Sequence, residues 1–218
     1  MNGSDRHPAG VLLWSVLALV LAACGGAASA TPASGAPLQD DFSSTICLFG
    51  FLEAGTTQGY ECVDGEFRAW IDNDQASYDF ISSSSPDSYG DVRIEVDARI
   101  VSAVLYGGAV VVCRGSQTAG DFYAFVLSPD GTVTISDYLD GGEQIARIGT
   151  LPDGTMQPEW NHLRVDCVGS HLALYVNGTL ALERDIDELA QGEVGLGAGG
   201  ASDGFTEVRF DNLVVSQP

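Results

Sequence analysis

The chain contains no lysine: its nine basic residues are all arginines, set against 30 aspartates and glutamates, for a formal charge of −21. The arginines stand singly along the chain and build no basic stripe. A phosphate backbone would be repelled rather than neutralised, which argues against a nucleic-acid partner and disfavours anionic lipid headgroups. Histidine is scarce as well. Only His7, His162 and His171 occur; the last two read as surface residues on strand edges, with no Gly-x-Ser-x-Gly nucleophile motif beside them. No two of Cys47, Cys62, Cys113 and Cys167 stand about two to four residues apart, the spacing structural zinc sites require. Heptads and internal repeats are also lacking. The apolar stretch Val11 to Ala22, twelve residues with a single serine, is too short for a hydrocarbon core that needs about 20 residues.

That stretch suits instead the hydrophobic region of an export signal, and helix-breaking Gly25-Gly26 follow it closely. Leu21-Ala22-Ala23-Cys24 resembles the lipobox of bacterial lipoproteins at all four positions. The resemblance implies cleavage before Cys24 and lipid attachment to its thiol, although Arg6 is offset by Asp5 where such leaders are usually basic. Residues 1–23 are thus expected to be a signal peptide and 24–37, rich in Gly, Ala, Ser and Pro, a flexible tether. The expected location is extracytoplasmic, lipid-anchored to the bacterial cell membrane or envelope. Signal removal takes away one Asp and one Arg, so the acidity stays with the remaining chain, where it mainly serves solubility.

Residues 38–218 suffice for one domain burying roughly 70% of its unfolded surface. With Cys24 reserved, the four remaining cysteines allow three pairings in an oxidising compartment. We favour Cys47 with Cys62, closing a Gly-rich loop, and Cys113 with Cys167. The latter two share the apolar phase of their strand patterns, Ala109-Val111-Cys113 and Leu163-Val165-Cys167, so inward-facing thiols on neighbouring strands would meet in a core.

From Glu66 onward strand signals alternate with turn residues. Asp91 to Ala103 places Val92, Ile94, Val96, Ala98 and Ile100 on one face and Arg93, Glu95, Asp97 and Arg99 on the other. Strand patterns follow over 109–114, 121–128, 132–139, 144–149, 160–168, 171–176, 179–184, 193–199 and 206–215, and Asn177-Gly178 is the strongest hairpin signal. Asp185 to Ala190, with Glu188 three residues after a potential cap, reads as one helical turn. The pattern predicts an all-β, antiparallel sandwich or jelly roll.

Cys113-Arg114, Asp121-Phe122-Tyr123-Ala124-Phe125, Ser128-Pro129-Asp130-Gly131, Leu163 to Ser170, Leu174 to Gly178 and Phe210 to Val215 together resemble the concanavalin A-like lectin/glucanase superfamily. Within it, they are most similar to laminin-G-like and 3-keto-disaccharide-hydrolase-type domains. The resemblance spans roughly Asp40 to Ser216 and implies two packed antiparallel sheets, one of them concave, that bind sugars or other partners on that face or its rim. Fold alone does not settle function.

Retaining glucanases of this fold carry a Glu-x-Asp-x-Glu strand motif, and Glu95-Val96-Asp97 begins like it. Arg99 then replaces the third carboxylate, and a guanidinium cannot act as general acid near neutral pH. No acid/base pair is named from sequence. Asp72-Asn73-Asp74 opens like a calcium loop, but Ser77 and Ser83 occupy its glycine and closing-glutamate positions, so the segment reads as a turn. No cofactor is expected, although laminin-G-like domains often hold one structural calcium. Asn177-Gly178-Thr179 fits a glycosylation acceptor by composition, and the hairpin explains it fully.

Sugars stack on aromatic rings and need fixed polar partners. Trp70, Tyr78, Tyr89, Tyr106, Tyr123, Tyr138, Trp160 and Tyr175 are available, most of them expected in the core. If Cys113 faces inward, alternation turns Arg114 outward. The expected ligand surface is Arg93, Glu95, Asp97, Arg114 and Tyr123. The expected function is non-catalytic binding of carbohydrate or a cell-surface protein; the alternatives are a glycoside or 3-keto-disaccharide hydrolase and a structural envelope protein without small ligand.

Overall fold

A computed structural model describes residues 35–44, 47–49, 57–73, 79–104, 107–116, 118–140, 142–200 and 204–218. The signal peptide, Cys24, most of the tether, Tyr78 and Tyr106 lie outside them. The described residues form fourteen strands: β1 (Leu38–Asp40), β2 (Gln58–Val63), β3 (Glu66–Asn73), β4 (Asp79–Ser84), β5 (Val92–Ser102), β6 (Gly108–Ser116), β7 (Asp121–Leu127), β8 (Thr132–Leu139), β9 (Gly142–Thr150), β10 (Asn161–Val168), β11 (His171–Val176), β12 (Thr179–Asp185), β13 (Glu193–Gly200) and β14 (Gly204–Ser216). Strand ladders join them into two antiparallel sheets. An eight-stranded sheet runs β12-β11-β10-β5-β14-β3-β2 with β1 also paired to β14, and a six-stranded sheet runs β4-β13-β6-β7-β8-β9. The predicted jelly-roll sandwich is what forms.

Alternation explains the packing. In β5, Val92, Ile94, Val96 and Ala98 are buried and the residues between them are half-exposed, so one face of the strand meets the core and the other meets solvent. Inward residues of both sheets, among them Ile94, Val96, Phe125, Ile135, Leu163, Leu174, Leu196 and Phe210, form one continuous core. Phe42, Phe49, Tyr60, Phe67 and Phe210 close one part of it with ring centroids 5.6–6.5 Å apart. A buried ion pair also crosses between the sheets, Arg184 Nη1 of β12 meeting Asp137 Oδ1 of β8 at 2.6 Å.

Both favoured cysteine pairings are present. Cys113 and Cys167 do not sit on neighbouring strands of one sheet. Cys113 belongs to the six-stranded sheet and Cys167 to the eight-stranded one, so their bond staples the layers through the core, closing 54 residues of chain; on the chain-entropy model this contributes about 4 kcal/mol. Asn177-Gly178 is a two-residue hairpin with both φ positive, 49° and 80°, the type I′ geometry that matches strand twist.

Three expectations need correction. Asp185 to Ala190 holds no helical turn: β12 runs through Asp185 and an irregular segment follows. Asp72 and Asn73 belong to the end of β3 rather than to a turn, and the rest of that expected turn, Asp74 to Tyr78, lies outside the described residues. Arg114 does not face outward, because the ladder between β6 and β7 shifts register between Cys113 and Ser116 and Arg114 adopts φ 53°. A bulge of this kind breaks strict alternation and re-aims the side chain.

Candidate functional site

The outer surface of the eight-stranded sheet gathers most of the charge chemistry of the domain. Arg68 (β3), Arg209 (β14) and Arg99 (β5) stand directly opposite one another across three strands. Like charges in that relation repel, and three carboxylates interleave to offset them. Glu207 accepts from Arg68 at 2.8 Å and from Arg209 at 2.8 Å; Glu66 accepts from Arg99 at 2.8 Å and from Arg209 at 3.4 Å; Glu61 accepts from Arg68 at 3.1 Å. Burial raises the pKa of the Glu207 carboxyl, but the hydrogen bonds from Arg68 and Arg209 outweigh it and hold the group below its ordinary range. Aromatic faces lie under this network, with the Arg68 guanidinium 4.4 Å from the Trp70 ring and Arg99 4.9 Å from Trp160.

Next along β5, Asp97 stands opposite Asp211 of β14 and His162 of β10. His162 Nδ1 lies 2.9 Å from Asp97 Oδ1 and its Nε2 lies 3.6 Å from Glu95, while Asn212 Nδ2 donates to Asp97 Oδ2 at 2.9 Å. The Asp211 carboxyl is pushed above its ordinary value, first by burial and then by the neighbouring charges of Asp97, Glu66 and Asp41, against a lowering hydrogen bond from the Asn212 amide. Further over, Arg93 holds Asp166 in a fork at 2.7 and 3.1 Å, and Arg164 stacks 3.6 Å above Tyr175. Two shallow depressions open on this surface. One of about 340 Å³ is lined by Asp64, Glu66, Arg99, Val101, Glu207 and Arg209, and one of about 420 Å³ by Gln39, Asp40, Asp41, Asn212, Leu213 and Val214.

Three of the five expected ligand residues, Arg93, Glu95 and Asp97, stand on this one face. The other two do not join them. Arg114 is 2% exposed and Tyr123 fully buried. The Arg114 guanidinium donates to three carbonyls, Leu189 at 2.8 Å and Gly90 and Cys167 at 3.4 Å, and Tyr123 Oη accepts from the Leu189 amide at 2.8 Å. Together they tie the 185–192 segment to the sandwich, and neither presents an atom to a ligand.

Sequence reasoning read His162 only as a surface residue and passed over Asp211, Asn212 and the Arg68/Glu66/Glu207/Arg209 network. Their signal is the shared outward phase of β3, β5, β10 and β14, which only the pairing of strands distant in sequence brings together. Among the described residues no group of three or more His, Cys, Asp or Glu is arranged to hold a metal ion. The Asn177 amide donates to Thr155 O and Asn161 Oδ1, both at 2.8 Å.

Sheet order and crossovers give the two-sheet antiparallel sandwich that solved glucanases and lectin-like proteins share. A family model described as the 3-keto-alpha-glucoside-1,2-lyase-like domain matches residues 48–216, and the chain belongs to that family. Solved structures of the same fold include the carbohydrate-binding module CBM66 from Bacillus subtilis, with 18% identity over 67% of this chain and 84% of that one and a TM-score of 0.52. The Bacillus licheniformis beta-glucanase aligns with 12% identity over 84% and 99% of the two chains and a TM-score of 0.63. A Bacillus subtilis protein with a galectin-like fold aligns with 11% identity over 86% and 98% and a TM-score of 0.60. No protein of curated function matches the chain.

Proposed function

We propose that the domain recognises carbohydrate on the outer face of the eight-stranded sheet, without catalysis, on a chain exported and held at the cell membrane or envelope through lipid on Cys24. The observation that carries the reading is the joining on one sheet surface of paired donors and acceptors, the Arg–Glu network and the Asp97/His162/Asn212 group, with the half-exposed rings of Trp160 and Tyr175. Sugar hydroxyls need fixed partners of both kinds, and sugar ring faces need apolar contact. That a carbohydrate-binding module shares the fold supports it. Two lipid chains would give the stable anchoring that a single one does not.

Glycan binding by the protein, followed together with release of sugar products, tests the first half: binding without product is the expected result. Mass spectrometry of the mature amino terminus tests the second, with a lipid-modified Cys24 expected and an unmodified, cytosolic chain refuting it. A second reading, cleavage of a bound 3-keto glucoside, is favoured by the family match; product formation in the same assay would establish it. Silence in both would favour a structural envelope protein.

A further inference from the structure

We propose that the domain forms a two-fold dimer through β9, the outermost strand of the six-stranded sheet, which pairs antiparallel with β9 of a second copy. The dimer stands apart from the carbohydrate reading and does not depend on it.

β9 ends the strand order on its side of the sheet, with no described strand beyond it. It runs for nine residues, about 30 Å at strand rise, and an edge of that length leaves a row of backbone donors and acceptors open to another extended chain. Glu143, Ala146, Arg147 and Ile148 are exposed along it. Ile148, at 67%, is the most exposed large apolar side chain among the described residues.

Charge says which chain that is. Of the eight arginines in the described residues, Arg68, Arg93, Arg99, Arg114, Arg164, Arg184 and Arg209 each meet a carboxylate. Arg147 meets none, and Glu143, at the other end of the same strand, has no basic partner among the described residues. Set antiparallel, the Arg147–Ile148 end of one copy lies beside the Gly142–Glu143 end of the other, and the two-fold repeats the match. Parallel copies would set Arg beside Arg and Glu beside Glu, which repels. Nothing lies within 4 Å of the Cβ position of Gly142, so an incoming isoleucine side chain has room beside it. The chain carries −21, so two copies repel except where local charge cancels, as it does on β9. At β12, the edge of the other sheet, the Glu183 and Asp185 side chains are 53% and 79% exposed, and a second copy there would meet like charge.

The register shift against β8 interrupts the β9 edge once. A bulge of this kind discourages indiscriminate pairing, so the charge match is needed as well as the open backbone. Strand pairing of this length buries an interface at the low end for a specific one, below about 1,200 Å², and the dimer is reversible. Because paired strands continue one sheet, the two eight-stranded sheets lie on the same side of it and their charged faces look the same way.

Sedimentation equilibrium of the full chain in density-matched detergent, across a range of protein concentration, tests the dimer. The parent should follow a monomer–dimer equilibrium. Arg147→Glu and Glu143→Arg should each raise the dissociation constant about ten-fold or more, and Ile148→Asp should raise it as well. The double variant Glu143→Arg with Arg147→Glu restores the match with its ends exchanged and should return to within about three-fold of the parent. All three positions are exposed, and near-ultraviolet circular dichroism checks that each variant keeps the fold. A parent that stays monomeric, association indifferent to these substitutions, or a double variant as weak as its singles would overturn the proposal.

Discussion

The outward surfaces of the two sheets are opposite in chemistry although the same alternation builds both. On the eight-stranded sheet the outward phase of β3, β5, β10 and β14 reads Glu, Arg, Asp and His, knitted into ion pairs. On the six-stranded sheet the outward phase of β6 and β7 reads Val110, Val112, Ala124 and Val126, a second apolar cluster separate from the core, against which Phe122 and Tyr138 pack, their rings stacked at 4.4 Å. Glycines and small hydroxyl residues continue it: Val112 stands opposite Gly195 and Ala124 opposite Ser136. β6 is buried at eight successive positions, whereas β5 alternates. A strand apolar on both phases is made for burial on both faces; a strand with one charged phase keeps that face in water. The first surface therefore presents fixed hydrogen-bonding groups to solvent, whereas the second is built for apolar burial.

The largest expected effect breaks this contrast from the apolar side. Val112→Asp places an unpaired carboxylate at a site 3% exposed and should cost about 4 kcal/mol, lowering the midpoint of thermal unfolding by roughly 10 °C or more in a domain of this size. Val101→Asp, on β5 at 53% exposure, should stay within about 0.5 kcal/mol. Comparable losses in the two variants, measured by thermal melts, would show that the surfaces do not differ in burial.

Arg114→Ala comes next. It leaves the carbonyls of Leu189, Gly90 and Cys167 short of a donor at the end of the sandwich, and should cost about 2–3 kcal/mol. Glycan binding by the folded variant should be unchanged, since the side chain is 2% exposed; a loss of binding at unchanged stability would return Arg114 to the ligand surface.

Glu207→Gln acts within the charged network and should cost about 1–2 kcal/mol, because its carboxylate joins Arg68 to Arg209 while those arginines keep Glu61 and Glu66. The folded state holds this carboxyl below its ordinary pKa. The stability it adds is present above the unfolded value and is lost as pH falls through the folded one. Denaturant titrations of the two proteins should converge in acid, and a pH-independent gap would mean that packing rather than charge supports the network.

The difference between what was and was not legible in sequence follows the same divide. Period-two patterns over β5, β10 and β11, and the Asn177-Gly178 turn, are local signals and were readable. The short β1 and β2 were not picked out, and the weakly alternating β3 and β4 fell within the strand signals from Glu66 onward without bounds of their own. Cysteine pairing was readable because Cys113 and Cys167 share an apolar phase, but which sheet each joins depends on crossovers that no local pattern encodes. Arg114 misled because a bulge cancels the alternation on which its outward reading depended. Asp185 to Ala190 carried capping chemistry for a helix, yet Arg114 and Tyr123 bind its backbone at Leu189 and hold the segment in another path. Of nine arginines single in sequence, five, Arg68, Arg93, Arg99, Arg164 and Arg209, converge because they share the outward phase of strands that pair only after folding.

The smallest expected effect has the opposite sign and tests the centre of the charged face. Burial and the carboxylates of Asp97, Glu66 and Asp41 raise the pKa of Asp211, so the folded state binds its proton more tightly than the unfolded chain does. Its ionised form then destabilises the fold: stability falls as pH rises from the unfolded value of about 3.9 to the raised folded one, and stays reduced above it. Asp211→Asn removes that penalty and keeps the shape, so the variant should be more stable than the parent at neutral pH by less than about 1 kcal/mol, the gain shrinking to nothing as pH drops below the unfolded value. Its direction is opposite to that of Glu207→Gln, four residues away on the same strand, because Glu207 lies between two guanidiniums and Asp211 faces carboxylates. Chemical denaturation of both variants across the acid range should therefore give two difference curves of opposite sign; curves of the same sign would mean that position along β14, not the charge each carboxyl faces, decides its contribution.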